Sequence, residues 1–191
     1  LYATGWFALI AKQTTLVFGL GVAGMAVANA LHGRGETVIL ADDHATKQHQ
    51  DVARALNCEF IDATDETAVV STLKRITRLA PAPGISESHH VVSMARQMGL
   101  TIYSELELAY NFEELRNGGP RPMLGITGTD GKTTTTLMTA AMLHAAGHKS
   151  MAVGNTDTPL IAALNTDTQV FAVECSSFRL ANCENFRTRA S

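Results

Sequence analysis

The chain contains a turn that reads Gly125-Ile126-Thr127-Gly128-Thr129-Asp130-Gly131-Lys132-Thr133-Thr134, between an apolar run and a long helical pattern. Glycines let the backbone turn with its N–H groups pointing inward, and the following helix directs its positive dipole end at an anion. Lys132 supplies a compact positive charge for the β- and γ-phosphates of a nucleotide, and the Thr133 hydroxyl can bind Mg²⁺. This order predicts a site for ATP or GTP. The residues predicted to contact the nucleotide are consecutive: Gly128, Thr129, Asp130, Gly131, Lys132, Thr133 and Thr134.

The generic phosphate-loop pattern differs from this turn at one position. It requires a glycine five residues before Gly131, where this chain has Ile126. The alternative interpretation is a strand-to-helix turn rich in glycine and threonine, with Lys132 as an ordinary surface residue. The order of strand, turn, Lys-Thr pair and helix favours the phosphate site.

A second glycine-rich turn, Gly19-x-Gly21-x-x-Gly24, also lies between an apolar strand and a helical pattern. It matches the fingerprint of Rossmann-like domains, in which an acidic residue about 20 positions later binds a ribose hydroxyl. Asp42 and Asp43 lie at about that spacing. The fingerprint is compatible with NAD, with another sugar-linked diphosphate such as a UDP-sugar, or with glycines that only tighten helix–strand packing. A hydride-transfer enzyme would need a catalytic domain next, whereas this chain continues into a second nucleotide turn.

The overall composition is that of a protein with a substantial apolar core. Of its 191 residues, 46% are hydrophobic and 17% charged, and the net charge is −3, so no nucleic-acid surface is expected. The cysteines Cys58, Cys175 and Cys183 form no C-x-x-C pair and suit free thiols in a reducing cytosol. No apolar run reaches the roughly 20 residues that span a bilayer. Residues 1–10 are mildly apolar but lack the basic region and the long apolar region of a signal peptide, and we interpret them as a leader or part of the first element.

Short β-rich segments alternate with longer helical patterns, which predicts an α/β fold with a mostly parallel sheet. Strands are predicted at residues 15–18, 37–41, 58–61, 101–103, 123–127, 150–153 and 170–174. Helices are predicted at residues 25–31, 47–56, 67–76, 89–98, 104–115, 133–146 and 159–164. Ser104 and Glu107 are expected to form a capping box. The turn-rich segment 117–122 predicts a boundary between a domain of residues 1–119 and a second one of residues 120–191.

Two further pairs of residues are predicted to be structural. His89 and His90 are adjacent on a predicted helix, where side chains point about 100° apart, so they are not expected to share a metal. Met138 and Met142 lie four positions apart on a predicted helix and are predicted to point into the hydrophobic core.

The two glycine turns, together with three shorter segments in a fixed order, resemble the Mur ligase family, and in particular its D-glutamate-adding members. The combination is highly specific and spans nearly the whole chain. The segments that carry the resemblance are Gly19-Leu20-Gly21-Val22-Ala23-Gly24, Pro83-Gly84-Ile85, Gly128-Thr129-Asp130-Gly131-Lys132-Thr133, Gly154-Asn155 and Glu174-Cys175-Ser176-Ser177-Phe178-Arg179-Leu180.

The resemblance implies a Rossmann-like N-terminal domain for a UDP-sugar, followed by the truncated start of a P-loop-type central domain that binds ATP. It implies a cytoplasmic, monomeric amide ligase of peptidoglycan synthesis, which uses ATP and Mg²⁺ to join D-glutamate to UDP-N-acetylmuramoyl-L-alanine through an acyl phosphate. The family's modified lysine, its downstream histidine and its D-glutamate-binding domain are expected beyond Ser191. The chain alone is therefore expected to be an inactive fragment. The alternatives to a ligase are an NAD-dependent dehydrogenase and a non-catalytic nucleotide-binding module.

The resemblance also assigns roles to individual residues. Lys132, Asn155 and Glu174 are the implied catalytic residues, and Thr133 and Glu174 the implied Mg²⁺ ligands. Asn155 and Ser176 are implied substrate contacts. Without the resemblance, Glu174 could be a solvated strand-end carboxylate, and Asn155 and Ser176 could be turn residues that cap local backbone. In the first domain, the implied substrate contacts are Val22 and Ala23 at the diphosphate, Asp42 on the uracil side and Gly84 at the sugar.

Several positions depart from the family's usual pattern. Asp157 replaces a glycine after the second central strand, Asp130 replaces a frequent asparagine, and Arg179 replaces a common glutamine. The usual apolar strand before the Pro-Gly turn is replaced by a segment with Arg75 and Arg78 at its flanks. Burying either arginine without a partner would be costly.

Overall fold

The computed structural model describes residues 13–191, so the prediction for residues 1–10 lies outside the described part of the chain. Packing divides the chain into two compact units, one ending at Ile102 and one running from Tyr103 to Ser191. Each unit has its own parallel sheet, which confirms the predicted α/β class. Among the described residues, no helix is long and apolar enough to cross a membrane.

The first unit is built around a five-stranded sheet. Its strands are β1 (Thr14–Phe18), β2 (Thr37–Asp42), β3 (Glu59–Asp62), β4 (Arg78–Pro81) and β5 (Thr101–Ile102). Its helices are α1 (Val22–His32), α2 (Lys47–Ala55), α3 (Glu66–Leu73) and α4 (His90–Gln97). The strand order is β3-β2-β1-β4-β5, with every pair parallel. Phe18 lies beside Ala41 and Pro81 in register, so the central strands end at one edge of the sheet.

Both faces of this sheet are covered. Leu16 and Phe18 of β1 are fully buried in a cluster that includes Val69 of α3. Val17 points to the opposite face because side chains alternate along a strand, and it is also fully buried. Leu31 of α1, the helix that packs on β1 and β2, is fully buried as well. Burial on two faces explains the continuous apolar runs from which these strands were predicted.

Strand β4 lies between β1 and β5, although no apolar run marks it in the sequence. Arg78 of this strand is 9% exposed. Its Nε donates to Thr15 Oγ1 at 2.7 Å, and its guanidinium forms an ion pair with Glu36. The expected cost of an unpaired buried charge is therefore avoided. Arg75 is much more exposed and pairs with Glu59.

The second unit contains a three-stranded parallel sheet. Its strands are β6 (Met123–Ile126), β7 (Ser150–Gly154) and β8 (Val170–Glu174), in the order β6-β8-β7. Its helices are α5 (Glu105–Glu114), α6 (Lys132–Ala145), α7 (Leu160–Ala163) and the unpredicted α8 (Ser177–Leu180). The last residues pair with β6, since Gly125 N donates to Ala190 O and Arg189 N to Met123 O, both at 2.8 Å.

Helix α5 is tied into this unit by buried carboxylates. Glu113 accepts from Arg121 Nη2 at 2.6 Å and from Nε at 3.0 Å. The same guanidinium donates to three backbone carbonyls, those of Leu164, Thr166 and Thr168. Packing therefore groups α5 with the second unit, ahead of the boundary predicted after residue 119.

The predicted capping box at the start of α5 is only half formed. Ser104 Oγ accepts from Glu107 N at 3.2 Å, as predicted. The Glu107 carboxylate does not return to Ser104, whose N–H donates to Asn182 O instead. The predicted N-cap Ser104 is therefore confirmed, and the return bond from Glu107 is wrong. The buried Glu107 carboxylate instead accepts from the backbone N–H groups of Glu184, Asn185 and Phe186.

Helix α6 is exposed over most of its length. Leu137, Met138 and Met142 are 55%, 59% and 69% exposed. The prediction that Met138 and Met142 face a core is therefore wrong within the described residues. The physical reason is that α6 packs on β7 and β8 through its other side, where Thr136 is buried.

Candidate nucleotide and metal site

The lysine turn, residues 127–132, connects β6 to α6. Gly128 has φ 147° and Gly131 has φ 72°, a left-handed conformation at the N-cap of α6. Residues other than glycine rarely adopt these φ angles, so the backbone conformation of the turn requires glycine at both positions. The turn is curled in front of the helix, as a phosphate-binding turn must be.

The ammonium group of Lys132 lies over its own turn. Its Nζ donates to Gly128 O at 2.8 Å and to Thr129 O at 3.0 Å. Residues 127–131, Thr133 and Thr134 are exposed. The first N–H groups of α6 have no partner within the helix, so they and the Lys132 ammonium form a positive, accessible surface. This surface has the charge and the donors that an anion needs.

Glu174 ends β8 directly beside the lysine turn. It is paired in register with Ile126, and Cys175 N donates to Ile126 O at 2.8 Å. Glu174 is 1% exposed, and its Oε1 accepts from Asn155 Nδ2 at 3.1 Å. Its Oε2 is a buried oxygen without a hydrogen-bond partner among the described residues. The alternative of a solvated strand-end carboxylate is therefore wrong.

A buried oxygen without a donor is costly unless a cation or another donor approaches it. Carboxylate oxygens are the ligands that Mg²⁺ prefers, so Glu174 fits the implied metal. Thr133, the other predicted ligand, lies in the first turn of α6 with an exposed side chain. Both ligand assignments stay predictions.

Gly154 brings β7 close to Glu174. It has φ 100°, and a Cβ at this position would lie 2.4 Å from Glu174 O. Asn155 N then donates to Glu174 O at 3.0 Å, which places the asparagine over the end of β8. Gly154 is therefore a structural requirement for the Asn155–Glu174 contact.

Asn155 is also hydrogen-bonded to one member of a buried ion pair, Arg179 and Glu105. Arg179 Nε donates to Asn155 Oδ1 at 3.3 Å, and its Nη1 donates to Glu105 Oε2 at 2.8 Å. Glu105 Oε1 in turn accepts from Ile161 N at 2.7 Å. Burial raises the pKa of the Glu105 carboxyl, although Ile161 and Arg179 act against this rise. The sequence did not point to Glu105, because its role depends on residues far along the chain.

Ser176 and Asp157 lie nearby in the sequence. Ser176 caps α8, and its Oγ accepts from Arg179 N at 3.3 Å. Asp157, the departure from the family pattern, is exposed. The capping role predicted as the alternative for Ser176 is present, and its substrate contact stays a prediction.

The glycine turn of the first unit, residues 19–24, is packed rather than open. A Cβ on Gly24 would lie 1.8 Å from Gly19 O. Asp42 Oδ2 accepts from Leu20 N at 2.7 Å, so the strand-end carboxylate braces the turn. Val22 and Ala23 begin α1, and its N-cap Gly21 provides no side-chain cap, which leaves backbone donors for an anion.

The remaining positions of the first unit lie at the same strand edge. Gly84 follows β4 with φ 93°, and a Cβ there would meet no atom within 4 Å. His89 Nε2 lies 3.1 Å from Asp43 Oδ2, and His90 Nε2 lies 2.9 Å from Ala63 O. No group of three or more metal-binding side chains occurs among residues 13–191.

Two family descriptions match different parts of this chain. Residues 13–104 match the family description "Mur ligase MurD-like, N-terminal domain", and residues 126–188 match "Mur ligase middle domain". The chain belongs to the Mur ligase family.

Individual Mur ligases are similar over most of this chain. It is 35% identical over 178 residues to the UDP-N-acetylmuramoylalanine--D-glutamate ligase of Streptomyces coelicolor, which covers 92% of the chain and 37% of that protein. It is 37% identical over 175 residues to the ligase of the same name from Frankia casuarinae, over 86% of the chain and 34% of that protein. The chain thus spans about a third of the length of these relatives.

A solved Mur ligase has the same fold. It is the UDP-N-acetylmuramate:L-alanyl-gamma-D-glutamyl-meso-diaminopimelate ligase of Neisseria meningitides, with a TM-score of 0.52 and 19% identity. The similarity covers 86% of this chain and 52% of that one.

Proposed function

We propose that the chain is part of an ATP-dependent, ADP-forming ligase that adds D-glutamate to UDP-N-acetylmuramoyl-L-alanine in peptidoglycan precursor synthesis. The observation that carries this proposal is the pairing of Ile126 with Glu174. It brings the lysine turn to the same edge of one sheet as a buried carboxylate, one oxygen of which has no hydrogen-bond partner within residues 13–191. A triphosphate and its cation need these two groups side by side.

The residues of the second unit would divide the work of phosphoryl transfer. Lys132 and the N–H groups at the start of α6 would hold the β- and γ-phosphates and neutralise their charge. Mg²⁺, held by Glu174 and Thr133, supplies further neutralisation of the phosphate charge when bound. Asn155 would orient the substrate carboxylate next to the cation ligands. Ser176 would also contact the substrate.

The reaction that suits these groups proceeds through an acyl phosphate. A carboxylate oxygen of UDP-N-acetylmuramoyl-L-alanine attacks the γ-phosphorus, and ADP leaves. The amine of D-glutamate then attacks the acyl carbon, inorganic phosphate leaves, and the amine loses a proton as the amide forms. Catalysis in such transfers rests mainly on positioning and charge neutralisation.

The first unit would bind the UDP part of the substrate. The start of α1 at Val22 and Ala23 would donate backbone N–H groups to the diphosphate. Asp42 would face the uracil side, and Gly84 would line the sugar site. We place the protein in the cytoplasm as a monomer. Because the chain matches only 37% of the Streptomyces coelicolor relative, we propose that the 191-residue chain alone binds ligands without turnover.

Isothermal titration calorimetry of the chain with Mg·ATP tests the nucleotide site. We expect Lys132→Ala to weaken binding by about 10- to 100-fold, because a hydrogen bond to a charged group contributes about 1.5–3 kcal/mol. Lys149→Ala is the matched control, since it removes an exposed lysine whose ion pair is with Asp167. Equal binding by all three proteins would contradict the proposal.

Two further measurements address the substrate. UDP-N-acetylmuramoyl-L-alanine is expected to bind the chain and NADH is not; tight NADH binding without competition from the UDP-sugar would overturn the assignment of the first unit. In the complete gene product, phosphate release is expected only with both UDP-N-acetylmuramoyl-L-alanine and D-glutamate. Release with a different amino acid would overturn the substrate.

A further inference from the structure

The buried ion pair between Arg179 and Glu105 lies directly behind the Asn155–Glu174 contact. Arg179 is 7% exposed and Glu105 is 2% exposed. Burying two charges costs free energy that their attraction only partly recovers, so such a pair is weak evidence for stability by itself. Its position against Asn155 therefore suggests a role in the site.

An asparagine amide presents two different ends. The Asn155 Oδ1 end accepts from Arg179 Nε at 3.3 Å, and the Nδ2 end donates to Glu174 Oε1 at 3.1 Å. The Arg179 guanidinium can only donate hydrogen bonds, so it can bind the oxygen end of the amide but not the NH₂ end. This fixes the amide with its NH₂ group toward Glu174. A reversed amide would place an oxygen against a carboxylate oxygen.

Arg179 is itself fixed on two sides. Glu105 Oε2 accepts from its Nη1 at 2.8 Å, and Glu105 is held by Ile161 N at 2.7 Å. The Arg179 backbone N–H lies 3.3 Å from Ser176 Oγ, at the cap of α8. These contacts hold the guanidinium in a position from which it binds both Glu105 and Asn155.

We propose that Arg179, held by Glu105, is a positioning residue that orients the Asn155 amide and thereby leaves Glu174 Oε2 free for a divalent cation. The cation part of this inference rests on the proposed function. The orientation of the amide does not, and it can be measured without any ligand.

Two double variants distinguish the effect of the hydrogen-bond donor at position 179 from the effect of the buried charges. Glu105→Gln with Arg179→Gln removes both buried charges and keeps an N–H donor for Asn155. Glu105→Gln with Arg179→Met removes both charges and the donor. Neither variant leaves a lone buried charge, and glutamine and methionine are similar in length. Thermal melting is used to confirm that the two proteins are folded.

The first readout is the side-chain NH₂ signal of Asn155 in ¹⁵N NMR spectra, identified by its loss in Asn155→Ala. We expect the unmodified chain and the glutamine double variant to have similar chemical shifts and similar hydrogen-exchange rates for this group. The methionine double variant is expected to show a changed shift and at least about tenfold faster exchange. Identical signals in the two double variants would overturn the positioning role.

The second readout is the affinity for Mn²⁺, used as a spectroscopic substitute for Mg²⁺ and followed by electron paramagnetic resonance. We expect about tenfold weaker binding in the methionine double variant than in the glutamine one, as is typical when a partner behind a metal ligand is lost. Equal affinities would overturn the link to the cation. If no protein binds Mn²⁺ while the NMR difference persists, the proposed function fails and the positioning contact stands.

Discussion

The two glycine turns of the molecule look alike in sequence and differ in how their glycines are used. In the first unit, a Cβ on Gly24 would lie 1.8 Å from Gly19 O, and Asp42 braces the turn at Leu20. In the second unit, a Cβ on Gly131 would meet no atom within 4 Å, although its φ of 72° is left-handed. Gly24 is therefore needed for close packing, whereas Gly131 is needed for its backbone conformation in an exposed segment.

This difference shows that a glycine motif alone does not reveal which function its glycines serve. In the packed turn, the backbone of α1 is pressed against the end of β1, and a ligand can reach only the helix start. In the lysine turn, the whole segment from residue 127 to residue 131 is exposed. Substitution of Gly24 should therefore affect folding more strongly than substitution of Gly131.

The largest expected effect comes from Gly24→Ala. The added methyl group would collide with a backbone oxygen that cannot move without shifting β1, and we expect a loss of about 4 kcal/mol or more in the free energy of unfolding. Gly131→Ala is the comparison, with about 1–2 kcal/mol expected from its left-handed φ. Urea unfolding of both variants measures the difference. A smaller loss for Gly24→Ala than for Gly131→Ala would break the comparison.

The next largest effect concerns the buried charges of the second unit. Arg121→Met leaves Glu113 buried without its partner, and we expect a loss of about 3 kcal/mol in unfolding free energy. Arg75→Met is the matched control, because it removes an exposed pair with Glu59 and should cost less than about 1 kcal/mol. Urea unfolding with fluorescence detection reports both values. Similar losses would show that the Glu113 pair is not a main support of helix α5.

A smaller effect is expected for Asp42→Asn in the first unit. The substitution weakens the acceptor for Leu20 N, so the glycine turn should lose about 1 kcal/mol of support. Asp167→Asn, at an exposed ion pair, is the control and should leave stability almost unchanged. Hydrogen exchange of the Leu20 amide gives the local measurement. Unchanged exchange would mean that Asp42 does not brace the turn.

The smallest effect is a pH dependence in the second unit. Burial opposes ionisation of Glu113, but hydrogen bonds from Arg121 outweigh it and lower the pKa of the carboxyl. A lowered folded pKa gives stability that is present above the ordinary glutamate pKa and is lost as the pH falls through the folded value. Acid titration of unfolding free energy should show this loss. Glu113→Gln with Arg121→Met should lack that part of the dependence, and an unchanged acid profile would contradict the account.

Much of the fold could be predicted from local patterns. The strands at residues 170–174 and 37–41 are apolar runs buried on both faces, and the lysine turn combines a strand, two glycines and a helix start. These signals are local because each depends on residues close together in the chain. They led to the correct α/β class and to the position of the turn.

The remainder depended on contacts between distant residues. Strand β4 lies between two other strands although it carries Arg78, and the sequence around residue 78 does not reveal that Thr15 and Glu36 bind this arginine. The Glu107 carboxylate holds residues 184–186 instead of capping its own helix. Glu105 joins the site only through Arg179, 74 positions later. Met138 and Met142 fit a helical core pattern, but α6 turns that side away from the sheet.

The most decisive experiment for the nucleotide and metal site is a crystal structure of the chain with Mn²⁺ and a non-hydrolysable ATP analogue. We expect an anomalous peak within about 2.0–2.3 Å of Glu174 Oε2, with the phosphates on the backbone N–H groups of the lysine turn and on Lys132. A nucleotide bound elsewhere, or a metal that does not contact Glu174, would contradict this expectation.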